Sequence, residues 1–435
     1  MANQNWWRLF LALLLFSGAK INAQEKAIAF TGARVIPISG PEIPQGTIVI
    51  RNGKIERVGP TAAVAIPADA ERRDVSGKVI MPGLVDSHSH IGSAEGADSA
   101  APIQPDVRIL DSLDARHSSI QKARAGGLTT VNVMPGSGHL LSGQTLYIKL
   151  RAEARVVDDV VIRLADGSIA GGIKMANGSN PRRASPFPGS KAKAAALVRE
   201  QFVKAIEYRD KLKKAEGDVS KRPARDLRLE SLVDVLDGKR IVQHHTHSHN
   251  DILTVLRLAD EFKFRVVLHH VSDGWKVPQE IANAKAACSV IVIDSPGGKI
   301  EAKDSRLETA AILDKAGVLV GLHTDDGVTD SRLFLRSAAL AVRAGLPREK
   351  ALQAVTIANA RMLDLQDRVG TLEPGKDADL VILSGDPFSV YTNVLQTWVE
   401  GRKAFDRELP KDRIYQVGGP GASYDSRYPS EVEEY

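Results

Sequence analysis

Met81-Pro82-Gly83-Leu84-Val85-Asp86-Ser87-His88-Ser89-His90 is the stretch on which the reading of this chain turns. Its apolar course predicts a strand over 85–91. Successive strand residues face opposite ways, so His88 and His90, two apart, project from one face. Two imidazoles on one face make half of a chelate for a divalent cation. Such a pair is a weak signal alone. Set in a buried apolar strand entered through Pro82-Gly83, it is far more specific.

Outward from this segment the chain alternates. Strands are predicted over 128–134, 240–246, 264–270, 289–294 and 318–324, with helices over 112–125, 251–262 and 306–315. Strand-then-helix alternation argues for a parallel sheet with helical crossovers, and the strands' nearly continuous apolar character fits burial on both faces. About eight such units favour a closed (β/α)8 TIM barrel, an α/β fold whose chemistry sits at the C-terminal strand ends. An open dinucleotide fold would show a Gly-x-Gly-x-x-Gly turn, which is absent. The insert 178–238 breaks the rhythm. It carries Pro181, Pro186 and Pro188, then a helix over 194–212 with Val198, Phe202, Ala205 and Ile206 in an apolar stripe. It reads equally as a wall helix or as a lid over the barrel mouth.

Short strands flank this region, over 27–36, 46–51 and 54–58 before it and 380–384 and 396–400 after it. They suggest a small β-sandwich domain built from both ends, 24–80 and 366–406, around a barrel at 81–365. Residues 407–435 read as a polar, loosely ordered tail. At the N-terminus, Trp6, Trp7 and Arg8 precede the apolar run Leu9 to Phe16 and a small-residue stretch ending near Ala23. That pattern reads as a secretory signal over 1–23, too short to span a bilayer. The expected mature chain is exported, periplasmic or extracellular, with no membrane span. The charge of +5, from 58 basic and 53 acidic residues among 435, makes no case for nucleic acid. The single cysteine, Cys288, precludes an internal disulfide and reads as a buried thiol.

Two further stretches carry a resemblance. They are Gly77-Lys78-Val79-Ile80-Met81-Pro82-Gly83, leading into the first barrel strand, and Gly370-Thr371-Leu372-Glu373-Pro374-Gly375-Lys376-Asp377-Ala378-Asp379-Leu380. Thr356, Asn359 and Ala360 fit with them. On these motifs, spread over nearly the whole mature chain, the sequence resembles the amidohydrolase superfamily, most closely its imidazolonepropionase-like and prolidase-like branch. The motifs are specific for the superfamily and silent on substrate.

The resemblance implies a set of metal ligands. His88 and His90 come first. In Gln243-His244-His245-Thr246-His247-Ser248-His249 it selects His245. His247, on the same face, then serves as a supporting or substrate-binding group, and His244 and His249 as polar packing. In His269-His270 it selects His270, with His269 directed into the barrel wall. In His323-Thr324-Asp325-Asp326 it selects Asp325 as ligand and proton acceptor, leaving Asp326 solvated or structural. Six of the eleven histidines lie between His244 and His270, a clustering that a solvated charge run does not need. The two-metal branch adds a bridging lysine carbamylated by carbon dioxide, since a free ammonium could not sit between two dications. Lys174, in Gly172-Ile173-Lys174-Met175, matches best, with Lys149 as the rival. His139 and Lys276 are weak substrate-binding candidates, His139 either polarising a carbonyl or capping a loop.

The implied activity is hydrolysis of a carbon–nitrogen bond in a small amide, dipeptide or cyclic amide. One or two divalent cations, zinc before others, would activate water, with Asp325 as base. A mononuclear deaminase or imidazolone-type ring hydrolase uses the same machinery. A non-enzyme alternative is an exported binding protein on an inactive barrel. The expected partner is a small molecule, and a homo-oligomer is compatible with the chain.

Overall fold

The computed structural model describes residues 25–292 and 299–418. The expected signal and most of the expected tail lie outside the described residues. The described part opens with β1 (Ile28–Val35), β2 (Ile43–Arg51), β3 (Lys54–Pro60), β4 (Glu71–Asp74) and β5 (Val79–Pro82). Asn52-Gly53 makes the tight turn between β2 and β3, both residues taking positive φ, as a two-residue hairpin turn requires.

The chain then enters the body that carries the histidines. β6 (Leu84–Ser89) and β7 (Leu128–Val133) run parallel, with α1 (Ser118–Ala125) between them. The next run turns back. β8 (Leu141–Gln144) and β9 (Leu146–Lys149) are one stretch interrupted at Thr145; β9 lies antiparallel to β7, and β8 antiparallel to β10 (Ile173–Ala176). The expectation of a purely parallel sheet fails here for a reason of length. A parallel return needs a crossover of about a dozen residues or more, and the connection through Pro135-Gly136-Ser137-Gly138 is too short for one.

From β10 onward the expected alternation holds. α2 (Lys191–Lys214) and α3 (Leu227–Leu236) precede β11 (Val242–Thr246); then come α4 (His249–Phe262), β12 (Val266–His270), α5 (Pro278–Asn283), β13 (Ala287–Ile291), α6 (Thr309–Lys315) and β14 (Val320–His323). The hydrogen-bonded ladders form a six-stranded sheet, β14-β13-β12-β11-β10-β8, and a three-stranded one, β6-β7-β9, rather than one closed ring. The result is a TIM-barrel-like α/β fold with mixed sheets. Between β14 and β6 a side chain takes over from the ladder. After α7 (Phe334–Arg343) and α8 (Arg348–Ala354), α9 (Ile357–Met362) presents Asn359, whose Nδ2 donates to Val85 O and Leu322 O, each at 2.6 Å. Gly321 makes room for it, because a Cβ there would meet Asn359 Oδ1 at 2.0 Å.

The long helix of the insert belongs to the wall. Val198, Phe202 and Ala205 of α2 are buried, and Phe202 stacks on Phe262 of α4 and on Phe264 at centroid distances of 5.1 and 5.0 Å. The segment before α2 has a different place, at the mouth, where Phe187 packs on His139.

β15 (Leu380–Leu383), β16 (Val394–Val399) and β17 (Arg402–Asp406) return to β5. Where two packed sheets were expected, hydrogen bonds join both chain ends into one eight-stranded sheet, β17-β16-β15-β5-β1-β2-β3 with β4 beside β1. The segment expected to be a loose tail begins with α10 (Pro410–Val417), and Gln416 Nε2 donates to Val394 O at 2.9 Å. No helix among the described residues is long and apolar enough to cross a membrane.

Candidate metal centre

His88 and His90 end β6 on one face, and Asp325 lies just beyond β14. Asp325 Oδ1 is 3.2 Å from His88 Nε2 and 3.0 Å from His90 Nε2, and the two imidazole nitrogens are 3.3 Å apart. Donors bound at 2.0–2.1 Å to a tetrahedral ion stand about 3.3 Å apart, so this triangle fits a divalent cation. His90 Nδ1 donates to Met134 O at 2.8 Å, which leaves its Nε2 lone pair facing the triangle. Backbone bonds tie the two strand ends together: Asp325 N donates to His88 O, and His90 N to Asp326 O. Asp86 adds a staple, accepting from His88 N at 3.2 Å and from Thr324 Oγ1 at 2.5 Å. Burial pushes the Asp86 carboxyl up to about 7.

A second group adjoins the first. His245 and His270 have ring centroids 4.5 Å apart, and His270 lies 4.9 Å from His88. His270 Nδ1 stands 3.7 Å from Asp325 Oδ2. Four overlapping sets each bring their donor atoms within 4.8 Å of one another: His88-His90-Asp325, His270-His323-Asp325, His88-His269-His323 and His245-His247-His270. His247 joins through a ring stacked on His270, with Nδ1 against Ser272 Oγ at 2.8 Å. Both nitrogens of His245, and His88 Nδ1, His247 Nε2 and His270 Nε2, are buried without hydrogen-bond partners. Buried polar atoms rarely go unpaired, and a cation would satisfy several at once.

Two histidines occupy places the sequence reading did not assign. His269 faces the interior rather than the wall, with Nε2 donating to Gln243 Oε1 at 2.7 Å. Regular alternation along β12 already turns His269 inward. His270 reaches the same space because it adopts φ +69°, and Val271 φ +53°. Residues held in the left-handed region near a site signal local strain. His323 also points inward, its Nε2 3.1 Å from His270 Nδ1 and its Nδ1 2.8 Å from Ser289 Oγ. A regular strand ending at His323 already implied this, had the two-residue period been applied back from Asp325.

Burial dominates the electrostatics. It holds His88, His245, His269 and His270 well below the ordinary imidazole range, and lowers His247 and His323 to about 3 and His244 to about 4. All are neutral at physiological pH, the form that binds metal. Burial acts the other way on Asp325, but His90, then His323 and Lys174, prevail and keep it ionised well below the usual carboxylate range. Lys174 Nζ is completely buried, 3.1 Å from His88 Nε2 and 3.0 Å from Met134 Sδ, and burial brings it down to about 7. The rival, Lys149, is bound elsewhere, by Asp379 at 2.5 Å and Asp377 at 2.9 Å.

The weaker candidates are otherwise engaged. His139 Nε2 donates to Asp98 O at 2.7 Å, which ties the loop after β7 to the segment around Asp98. Lys276 pairs with Asp304 at 2.6 Å and with Asp273, the partner of His249, at 3.1 Å. Asp326 is buried and accepts from Ser331 N, a structural rather than solvated group. His244 Nδ1 donates to His245 O, and His249 pairs with Asp273. Cys288 is buried in the core, where burial pushes its thiol up and leaves it unreactive.

These features define a class: α/β enzymes that gather strand-end histidines and a carboxylate around a divalent cation. The amidohydrolase family profile matches residues 79–406. An amidohydrolase structure from Thermotoga maritima MSB8 superposes with a TM-score of 0.82 at 35% identity, covering 87% of this chain and 100% of that one. Amidohydrolase tasK of Hapsidospora irregularis is 27% identical over 392 residues, 83% of this chain, which spans only 40% of that longer protein. Imidazolonepropionase of Paracoccus denitrificans (strain Pd 1222) is 25% identical over 386 residues, 78% of this chain and 88% of that protein. The chain belongs to the amidohydrolase family. It is a hydrolase acting on carbon–nitrogen bonds, and the binding-protein alternative falls away.

Proposed function

We propose that this enzyme hydrolyses a small amide, dipeptide or cyclic amide, with Asp325 as the proton-handling group at a divalent-cation centre. One observation carries the reading: an ionised Asp325 presents one oxygen to His88 and His90 and the other toward His270. His88, His90 and Asp325 would hold one cation, and His245 and His270 a second, with a carbamylated Lys174, beside His88, as a further ligand. The reading treats the two ladders as one (β/α)8-type cylinder, joined at β6 and β14 by Asn359. A divalent cation there supplies acidification of water and polarisation of a carbonyl. Nitrogen and oxygen donors suit zinc, and they also accept other first-row ions.

The chain's own groups complete the chemistry. Asp325, ionised at neutral pH, takes a proton from the attacking water and returns it to the leaving nitrogen. Lys174, near neutrality at pH 7, can add its free amine to carbon dioxide. A C–N bond would form, one proton would leave the nitrogen, and the carbamate would carry a negative charge suited to holding a second cation. On the residues from Trp6 to Ala23 alone, we also propose that the enzyme is exported.

The test uses purified protein loaded with zinc or manganese, assayed on dipeptides and cyclic amides before and after exhaustive chelation. Hydrolysis should vanish on chelation, and Asp325→Asn should lower kcat/KM on the order of 10³-fold. Full activity in the chelated enzyme, or unchanged activity in Asp325→Asn, would overturn the reading. Two metal equivalents with a carbamylated Lys174 separate the bridged form from a mononuclear deaminase or ring hydrolase.

A further inference from the structure

A carboxylate with no role in this chemistry faces the same cluster. Glu301 lies in the short helical turn Ile300–Ala302 that follows β13. Its side chain is 7% exposed, and its two oxygens have different surroundings. Oε2 accepts the Ser179 N–H at 2.8 Å. Oε1 is buried without a hydrogen-bond partner and stands 4.0 Å from His245 Nε2. The seat is shaped for this side chain: Gly178 takes φ +83°, and a Cβ there would lie 2.4 Å from Oε2. The start of the insert therefore grips one oxygen and leaves the other turned toward the histidines. A buried carboxylate oxygen without a partner is costly unless a donor completes it.

Two partners could complete it. A cation bound at His245 is one, but the donors that gather within 4.8 Å of one another there are those of His245, His247 and His270, and Glu301 is not among them. The substrate is the other. We propose that Glu301 is a specificity-determining residue that binds an ammonium group carried by the substrate close to its scissile carbonyl. This rests on the hydrolase reading and narrows its substrate to amides with a free amino group α or β to the carbonyl, as at the amino end of a peptide. Lys299, two residues earlier, places positive charge near His245 and His247. Selectivity here comes from direct contact with Oε1.

L-alanyl-L-alanine and N-acetyl-L-alanyl-L-alanine differ at this one group, as do L-alanine and propionate, neither of which carries an amide bond to hydrolyse. On metal-loaded wild-type enzyme, calorimetry should show L-alanine binding roughly 10- to 100-fold more tightly than propionate, which lacks the ammonium. Glu301→Gln, which keeps the size and the acceptor for Ser179, should shrink that ratio to about threefold or less. The kinetic loss on the free dipeptide should fall on KM rather than kcat. Equal affinities in wild type, or a ratio that survives in Glu301→Gln, overturn the proposal. So does an equal loss on both ligands accompanied by loss of a metal equivalent, which would assign Glu301 to the cation. Preferential binding of L-alanine, with neither dipeptide nor cyclic amide hydrolysed under any metal, would sink the hydrolase reading and leave the ammonium site standing.

Discussion

Lys149 and Lys174 are both completely buried and come from adjoining strand segments, yet their surroundings are opposite. Lys149, at the end of β9, is gripped by Asp377 and Asp379, which lead into β15. Lys54 and Arg368 also reach Asp377, so a closed cluster of charges locks the flanking sheet to the barrel-like body. Lys174, in β10, hydrogen-bonds an imidazole and a thioether, and burial lowers it toward neutrality. A buried cation surrounded by carboxylates is architecture. A buried amine left without one is chemically available.

The sharpest break between the two is expected in stability. Lys149→Met leaves two buried aspartates without their central cation, a loss worth about 3–5 kcal/mol. Denaturant unfolding should show it, while the molecules that remain folded keep their metal content and turnover. If Lys149→Met unfolds at the wild-type midpoint, the seam is not what joins the two parts.

Lys174→Met reverses the pattern. Activity should fall on the order of 100-fold, with the fold retained and the carbamate signal lost. pH separates the two lysines further. In the metal-free protein, Lys174 titrates near 7 when folded and near 10.5 when unfolded. Between those values the unfolded chain holds a proton that the folded chain lacks, so stability rises with pH across this window. The penalty is complete below pH 7 and gone above about 10.5. Relative to Lys174→Met, which cannot titrate, metal-free wild type should therefore gain on the order of 2 kcal/mol from pH 7 to 10, allowing for relaxation. Parallel stability curves for the two proteins would contradict the assignment.

Much of this arrangement was legible in the sequence, and the parts that were not have physical causes. His88 and His90 declare themselves through spacing within a strand, and His245, His270, Asp325 and Lys174 through motifs that match a family. All six meet at one end of the body. His269 was misassigned because alternation was counted from His270 as the inward residue, and nothing in the letters shows that His270 leaves the strand conformation. The antiparallel run 141–149 was hidden for a related reason: an apolar strand reads the same in either direction, and only the short connection before it betrays the turn. Glu301 had no sequence signal at all. Its position depends on Gly178 and Ser179, more than a hundred residues earlier, closing on it in three dimensions.

Lys276 tests the comparison at its weak end. It follows the ligand-bearing strand β12 closely enough in sequence to suggest a substrate contact. Its ammonium instead bridges Asp304 and Asp273 at the surface, and the side-chain bond to Asp304 raises its affinity for the proton. A solvent-screened pair of this kind contributes little to stability. Asp273 remains held by its other neighbours, accepting from His249 N at 3.3 Å. Lys276→Ala should therefore leave the denaturant midpoint close to the wild-type value, and change kcat/KM by less than about twofold if the lysine never meets substrate. A rise in KM beyond that, on an otherwise unchanged protein, would mean that the ion pair opens during binding and that a third lysine, exposed and paired, takes part in the chemistry from which Lys149 is excluded.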